Sequence, residues 1–243
     1  MLKRSFDLFL AALLILLLFP VLLCIALAIR LTSPGPALYR QIRTGRNLVL
    51  FRIVKFRTMQ TGSEGPAYAL AEDPRVTRLG RWLRRTKLDE LPQLWNVLCG
   101  EMSFVGPRPI VPELTWSNLR DYTELFAARP GLTDPASIKY ADEAQRLEHV
   151  EDPQRYFLEV MTQDKLQLSR DYQQRATLGS DLILIGRTLQ VCQRALVAEL
   201  RNGSLAWNRQ REHASHRGTG FGGAGYGATS QSVAAVLAAE HTH

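Results

Sequence analysis

Histidine is scarce in this 243-residue chain, and poorly placed for chemistry where it occurs. Four of the five (His213, His216, His241, His243) crowd into the last 31 residues, leaving His149 alone in the body. That argues against a histidine-based triad and a histidine-rich metal centre. Cysteine is equally sparse. Cys24, Cys99 and Cys192 lie far apart, form no CxxC pair, and read as buried apolar residues of a reduced compartment. Acidic residues are missing altogether between Leu8 and Gln60. The front of the chain is therefore strongly basic. Residues 1–87 carry 15 Lys and Arg against 4 Asp and Glu, a net of +11, whereas residues 88–243 carry 15 against 19. Such a half suits a polyanionic partner: phosphate, nucleic acid or anionic lipid. At 46% hydrophobic, the chain is too apolar for disorder, and its length allows one domain with additions.

Charge is also missing from residues 8–29, a run of 22. As a helix it could cross a hydrocarbon layer of ~30 Å. Lys3 and Arg4 precede it, but no small-residue cleavage site follows, so it reads as an uncleaved anchor. Pro20 sits near its middle and predicts a kink. Basic residues flank both ends, with Arg30, Arg40, Arg43 and Arg46 on the far side. A bent helix that enters and leaves on one face satisfies the preference for basic cytoplasmic flanks; a kinked single span is the alternative. Asp7 lies four residues after Lys3, within helical pairing reach, or stands as a solvated interface carboxylate.

Residues 32–60 open with the turn Ser33-Pro34-Gly35-Pro36, and a strand-like stretch covers residues 48–56. Residues 61–200 are mostly helical by pattern. One stripe holds Leu79, Trp82 and Leu83, and another Leu91, Leu94, Trp95 and Leu98, with Pro92 in its first turn. Residues 180–200 are amphipathic, suited either to the core or to a membrane interface. Residues 201–243 form a low-complexity, Gly- and Ala-rich tail, expected to be disordered. Its GxGxxG (Gly218, Gly220, Gly223) follows no strand and is discounted as a nucleotide fingerprint.

The chemistry concentrates in two short strings. Asp89 and Glu90 sit behind Arg84, Arg85 and Lys87 at a predicted helix start. Both the helix N-terminus and the cations favour ionised carboxylates. An ionised Asp can be a nucleophile, and two carboxylates can hold Mg²⁺ together with phosphate oxygens. The plain alternative is an N-capping Asp followed by a first-turn Glu. Downstream, Gly106-Pro107-Arg108-Pro109 is a stiff turn that fixes one Arg, for bidentate phosphate binding or as a solvated turn residue. Lys55 and Arg57, flanking Phe56, suit a diphosphate or lipid headgroups.

Taken together and in order, Gln41, Arg43, Gly45, Phe51, Lys55-Phe56-Arg57-Thr58-Met59, Asp73-Pro74-Arg75, Leu88-Asp89-Glu90-Leu91-Pro92-Gln93-Leu94 and Gly106-Pro107-Arg108-Pro109 resemble the bacterial sugar transferases, the monotopic phosphoglycosyl transferases. The resemblance covers roughly residues 1–190. It implies transfer of a sugar-1-phosphate from a UDP-sugar to a polyprenyl (undecaprenyl) phosphate, initiating exopolysaccharide, O-antigen or glycoconjugate synthesis. It casts Asp89 as nucleophile of an aspartyl-phosphosugar intermediate. It makes Glu90 a Mg²⁺ ligand and Arg108 a phosphate-binding residue, with Arg84 at a matching basic position; the residues themselves add Asp89 as a second Mg²⁺ ligand and Lys55 and Arg57 as phosphate-binding cations. The opening Lys3-Arg4-Ser5-Phe6-Asp7 also matches, and Pro20 corresponds to the break in a re-entrant helix. The expected architecture is α+β and mostly helical. A re-entrant membrane helix (1–31) precedes a small catalytic domain (32–200) with amphipathic interface helices and a short β-hairpin, on the cytoplasmic face of the bacterial inner membrane. Three departures stand out: Lys87 in place of Ser, Glu101 in place of Asp, and the divergent loop Asp134-Pro135-Ala136-Ser137-Ile138-Lys139-Tyr140. That loop is expected near the nucleotide-sugar. The competing classes are a membrane-tethered nucleic-acid-binding protein, disfavoured by the lack of any nucleic-acid module, and a catalytically silent basic membrane scaffold.

Overall fold

The structure, a computed structural model, describes residues 2–62, 70, 73–117 and 119–218. It opens with α1 (Leu2–Thr32), whose leucine-rich run pairs most of its backbone groups within the segment. The helix continues through Pro20, so the break expected there is not an interruption. Proline removes one backbone hydrogen bond, and the turns on either side hold the helix together. Most of the apolar surface of α1 points outward: Leu16 is 75% and Leu31 86% exposed. A helix this long and apolar is able to cross a membrane.

Only a narrow stripe of α1 touches the rest of the chain, and its first two turns are tethered by polar groups. Asp7 is buried and accepts hydrogen bonds from Ser103 Oγ (2.8 Å) and the Phe104 N–H (3.3 Å). Lys3 donates to the Val105 carbonyl at 3.0 Å and pairs with Asp181 at 2.8 Å. Arg4 donates to the carbonyls of Val97 and Leu98 at 2.7 and 3.1 Å. The expected Lys3–Asp7 pairing is therefore corrected: each residue reaches a distant partner, because a buried carboxylate must be fully hydrogen-bonded.

A two-residue-period pattern builds the hairpin of β1 (Leu38–Thr44) and β2 (Leu50–Phe56), antiparallel with Tyr39 opposite Lys55 and Gln41 opposite Ile53. Alternation puts Tyr39, Gln41, Arg43, Ile53 and Lys55 on one face and Leu38, Arg40, Arg52, Val54 and Phe56 on the other. Then come α2 (Arg78–Arg85), a 3₁₀ turn (Leu88–Gln93) and α3 (Leu94–Cys99). The helix expected from Leu91 starts later, because the 3₁₀ turn occupies its first residues. Thr77 caps α2 by accepting from the Gly80 N–H. A Cβ at Gly80 would lie 2.1 Å from the Thr58 carbonyl oxygen, so only glycine lets α2 approach that strand end.

Two short strands follow, β3 (Ser103–Val105) and β4 (Gly131–Thr133), paired in parallel. Between them lie α4 (Pro112–Ser117) and α5 (Leu119–Leu125). The remaining helices are α6 (Pro135–Lys139), α7 (Glu143–Glu148), α8 (Pro153–Arg155), α9 (Thr162–Arg175) and α10 (Leu178–Gly218), with a π turn (Tyr156–Met161) ahead of α9. The main core joins Ala11, Phe51, Ile53, Leu94, Val97, Met102, Phe104 and Leu184. A second cluster places Ile25 and Ile29 of α1 against Phe56 and Leu83. Complete burial of a side chain such as Leu83 contributes about 2 kcal/mol.

The chain divides into two units, Met1–Leu200 and Arg201–His243. In the first, α10 buries Asp181 and Leu184 and exposes Leu182, Ile183 and Leu189, the amphipathic pattern read from residues 180–200. In the second, α10 continues as helix to Gly218, where a disordered tail was expected; residues 219–243 lie outside the described residues. The cysteines also differ from expectation. Cys24 and Cys99 are exposed and Cys192 is half-buried, since Cys24 lies on the outward side of α1 and Cys99 at the end of α3.

Candidate active site

The turn after α2 decides where the two carboxylates point. Thr86 ends the helix, its hydroxyl donating to the Trp82 carbonyl at 2.8 Å, and Lys87 adopts a left-handed backbone (φ 60°). A non-glycine residue pays about 1 kcal/mol for that conformation. The reversal leads straight into the 3₁₀ turn, which buries Asp89. Neither the 3₁₀ turn nor α3 receives a side-chain cap from Asp89, so the plain capping reading fails.

Glu90 is gripped on two sides. Arg108 forks onto it, Nη2 to Oε1 at 2.6 Å and Nη1 to Oε2 at 3.3 Å, and Lys55 Nζ approaches Oε1 at 2.9 Å. Burial would raise the Glu90 carboxyl, but Arg108 and Lys55 outweigh it and hold it well below the usual carboxylate range. Glu90 in turn raises the Arg108 guanidinium, while burial lowers the Lys55 ammonium. Asp89 is the opposite case. It has no hydrogen-bond partner among the described residues. Burial, then the Glu90 charge, push its carboxyl up to about 6, against Lys55, Arg84 and Lys87. The two adjacent carboxyls are thus driven apart: one locked as an anion, the other accessible to reaction and still largely ionised at neutral pH.

Arg108 owes its position to two glycines. A Cβ on Gly106 would meet the Arg129 carbonyl oxygen at 2.2 Å, and one on Gly131 would meet the Gly106 nitrogen at 2.1 Å. The close approach lets Gly106 N–H donate to Thr133 O (3.1 Å) and Gly131 N–H to Pro107 O (2.9 Å), which fastens the Gly-Pro-Arg-Pro turn to β4. Arg84 donates from Nε to Thr58 Oγ1 at 3.0 Å, and its charge acts on Asp89.

The structure therefore brings Lys55, Arg84, Asp89, Glu90 and Arg108 together. The Arg57 side chain is engaged elsewhere. Strand β2 ends at Phe56, so alternation lapses, and the Arg57 guanidinium instead closes the turn after α1 on the Ser33 and Pro34 carbonyls and Ser33 Oγ. It is not among the leading influences on the Asp89 or Glu90 carboxyl.

Two further residues escaped the sequence reading of the site. Arg43 lies on the Lys55 face of the hairpin, with its Nε buried and unpartnered, and burial followed by Arg108 lowers it to about 10. Its even spacing from Tyr39 and Gln41, on the face that carries Lys55, was the signal available. Asn96 is buried; its side chain accepts from the Val54 N–H at 3.1 Å and donates to the Arg52 carbonyl at 2.8 Å, holding β2 against α3. An Asn inside an apolar helical stripe was the clue. The divergent loop also borders the site, since the Asp134 and Glu143 charges act on Arg108. Beside it the Tyr140 ring carries Lys139, Arg146 and Lys165 at 5.5, 5.2 and 5.3 Å.

Among the described residues no three His, Cys, Asp or Glu side chains cluster as a metal cage. One free and one engaged carboxylate match a Mg²⁺ ion that draws most of its shell from phosphate oxygens and water.

The profile of the family described as Bacterial sugar transferase matches residues 1–195. The chain is 49% identical over 142 residues to the UDP-glucose:undecaprenyl-phosphate glucose-1-phosphate transferase of Caulobacter vibrioides, covering 56% of this chain and 53% of the relative. It is 43% identical over 155 residues to the exopolysaccharide production protein PSS of Rhizobium leguminosarum bv. phaseoli, covering 57% and 74%. It is 41% identical over 143 residues to the UDP-N-acetylgalactosamine-undecaprenyl-phosphate N-acetylgalactosaminephosphotransferase of Aeromonas hydrophila, covering 56% and 33%. The chain thus spans about half the length of the Caulobacter relative and a third of the Aeromonas one. A family profile that runs from the tether of α1 through both the Asp-Glu turn and the Arg108 turn places this chain in the bacterial sugar transferase family.

Proposed function

We propose that this protein moves a sugar-1-phosphate from a UDP-sugar to undecaprenyl phosphate through an aspartyl intermediate, and so starts an exopolysaccharide or related glycan. The observation that carries the reading is the Asp89 carboxyl, buried, without a hydrogen-bond partner among the described residues, and under the charges of Lys55, Arg84 and Lys87, next to a Glu90 held by Arg108. An Asp89 oxygen attacks the β-phosphorus of the donor. The bond from that phosphorus to the bridging oxygen breaks, and UMP leaves with the electron pair. An oxygen of undecaprenyl phosphate then attacks the same phosphorus and frees Asp89. Arg108, Arg84 and Arg43 hold the diphosphate oxygens, and Lys55 with Arg108 keeps Glu90 ionised. Asp89 and Glu90 would hold Mg²⁺, which would supply neutralisation of charge on the diphosphate and leaving group.

The chain acts at the bacterial inner membrane, with α1 re-entrant at Pro20 and the catalytic unit on the cytoplasmic face. Basic flanks on both sides of α1 and its outward leucines support this placement. The relatives' names point to UDP-glucose as the first donor to test, with UDP-N-acetylgalactosamine beside it. In lipid discs with Mg²⁺ and donor but no acceptor, UMP should appear at about one per active enzyme, and added undecaprenyl phosphate should restart release. Activity that requires acceptor from the first turnover, with no such burst, would remove the covalent step.

A further inference from the structure

The second face of the hairpin opens on a groove of about 650 Å³ between α1, β2 and α3. Its walls are apolar: Phe19 and Leu22 from α1, Leu38 and Val54 from the hairpin, Trp95 from α3. The hairpin face is outward and greasy at once, with Leu38 38%, Ile42 48% and Leu50 47% exposed. Two cations interrupt it. Arg40 and Arg52 both line the groove, both are exposed, and neither side chain has a hydrogen-bond or ion-pair partner among the described residues. Arg40 lies opposite Val54 and Arg52 opposite Ile42, so the two are diagonal neighbours on one face. Like charges at such spacing repel unless an anion sits between them. The one carboxylate on the lining, Glu101, is engaged by Asn96 Nδ2 at 2.7 Å. Lys55, which contacts Glu90, lies on the opposite face of the hairpin, while Leu91 and Pro92, the residues after Glu90, also line the groove.

We propose that this groove binds an anionic phospholipid of the bilayer, with an acyl chain along Phe19, Leu22 and Val54 and its phosphate between Arg40 and Arg52. Charge complementarity selects the headgroup and the apolar trench selects the tail. The volume lies in the range of small-molecule sites. The proposal rests on the membrane placement above but not on the transfer chemistry, because Arg40 and Arg52 lie on the hairpin face opposite Lys55.

Trp95 lines the groove and is 59% exposed, so it reports occupancy. The full chain is placed in lipid discs that contain brominated phosphatidylglycerol or brominated phosphatidylcholine at equal mole fraction. The Trp95 signal is the difference between the wild type and Trp95→Phe. Brominated phosphatidylglycerol should quench it at least about fivefold more effectively, given two Arg at the lipid surface. Arg40→Gln with Arg52→Gln should abolish the preference while quenching by phosphatidylcholine persists. Equal quenching of the wild type by both lipids would overturn the proposal without any variant. Relief of quenching by undecaprenyl phosphate at stoichiometric amounts would also overturn it, by making the groove the acceptor site. No quenching by either lipid would remove the membrane placement along with it. UMP release from the same discs tests the transfer reaction separately.

Discussion

At the scale of single residues, function and stability oppose each other at Asp89. Its carboxyl is raised above the ordinary value of 3.8 by burial and by Glu90. A carboxyl whose folded value exceeds its unfolded value favours folding fully only at acid pH, and that advantage is lost as pH rises toward about 6. Asp89→Asn should therefore abolish UMP release yet raise the melting temperature at pH 7.5, by up to about 3 kcal/mol of stability. The gain should vanish below about pH 4, where the wild-type carboxyl is protonated in both states. Full turnover in Asp89→Asn would end its assignment as nucleophile. In the wild type, kcat/KM should fall as pH drops through about 6, because the protonated carboxyl cannot attack. Arg108 makes a geometric contribution as well as an electrostatic one. Arg108→Lys keeps the charge but loses the fork on Glu90, and kcat/KM for the donor should drop about 10- to 100-fold. A lysine variant with unchanged kinetics would show that charge alone suffices.

At the scale of elements, close approaches and buried tethers set the site. Gly80→Ala drives a methyl group into the Thr58 carbonyl, so α2 must move away and take Arg84 with it. Thermal unfolding should show a loss of about 2 kcal/mol or more, and donor turnover should fall with it. Asp7→Ala leaves Ser103 Oγ and the Phe104 N–H without an acceptor, at a cost of about 1–3 kcal/mol. An unchanged melting temperature would contradict that tether. The elements themselves were partly legible. The apolar run gave α1, alternation gave β2, and the charged strings marked both turns of the site. What was not legible depended on contacts between distant segments. The Lys3–Asp7 spacing fits a local pair, and nothing nearby in sequence signals Ser103 or Asp181. Arg57 follows Lys55 at a strand interval, and only the end of β2 at Phe56 sends it elsewhere. The parallel β3–β4 pair spans three residues in each strand, too short for any periodicity, and rests on the facing Gly106 and Gly131.

At the scale of the whole molecule, one apolar helix belongs to the same unit as the Asp89–Glu90 turn. If α1 bends back at Pro20, tags at residue 1 and at residue 200 should both be cytoplasmic, and Pro20→Leu should shift a share of molecules toward a periplasmic N-terminus. A periplasmic N-terminus in the wild type would make α1 a span. The tether of α1 carries this further. Lys3, Arg4 and Asp7 weld the first two turns of the helix to β3 and α3, and the Arg108 turn begins at the next residue after β3. The start of the helix and the Arg108 turn are thus fixed to one another like marks on a ruler. Under the proposed function, the depth of the first turns of α1 in a bilayer would set the height of Arg108 above the hydrocarbon, and so the level at which the acceptor phosphate meets it. A change in bilayer thickness would then move the zero mark of that ruler, and a reaction that never touches the acyl chains would still be tuned by their length.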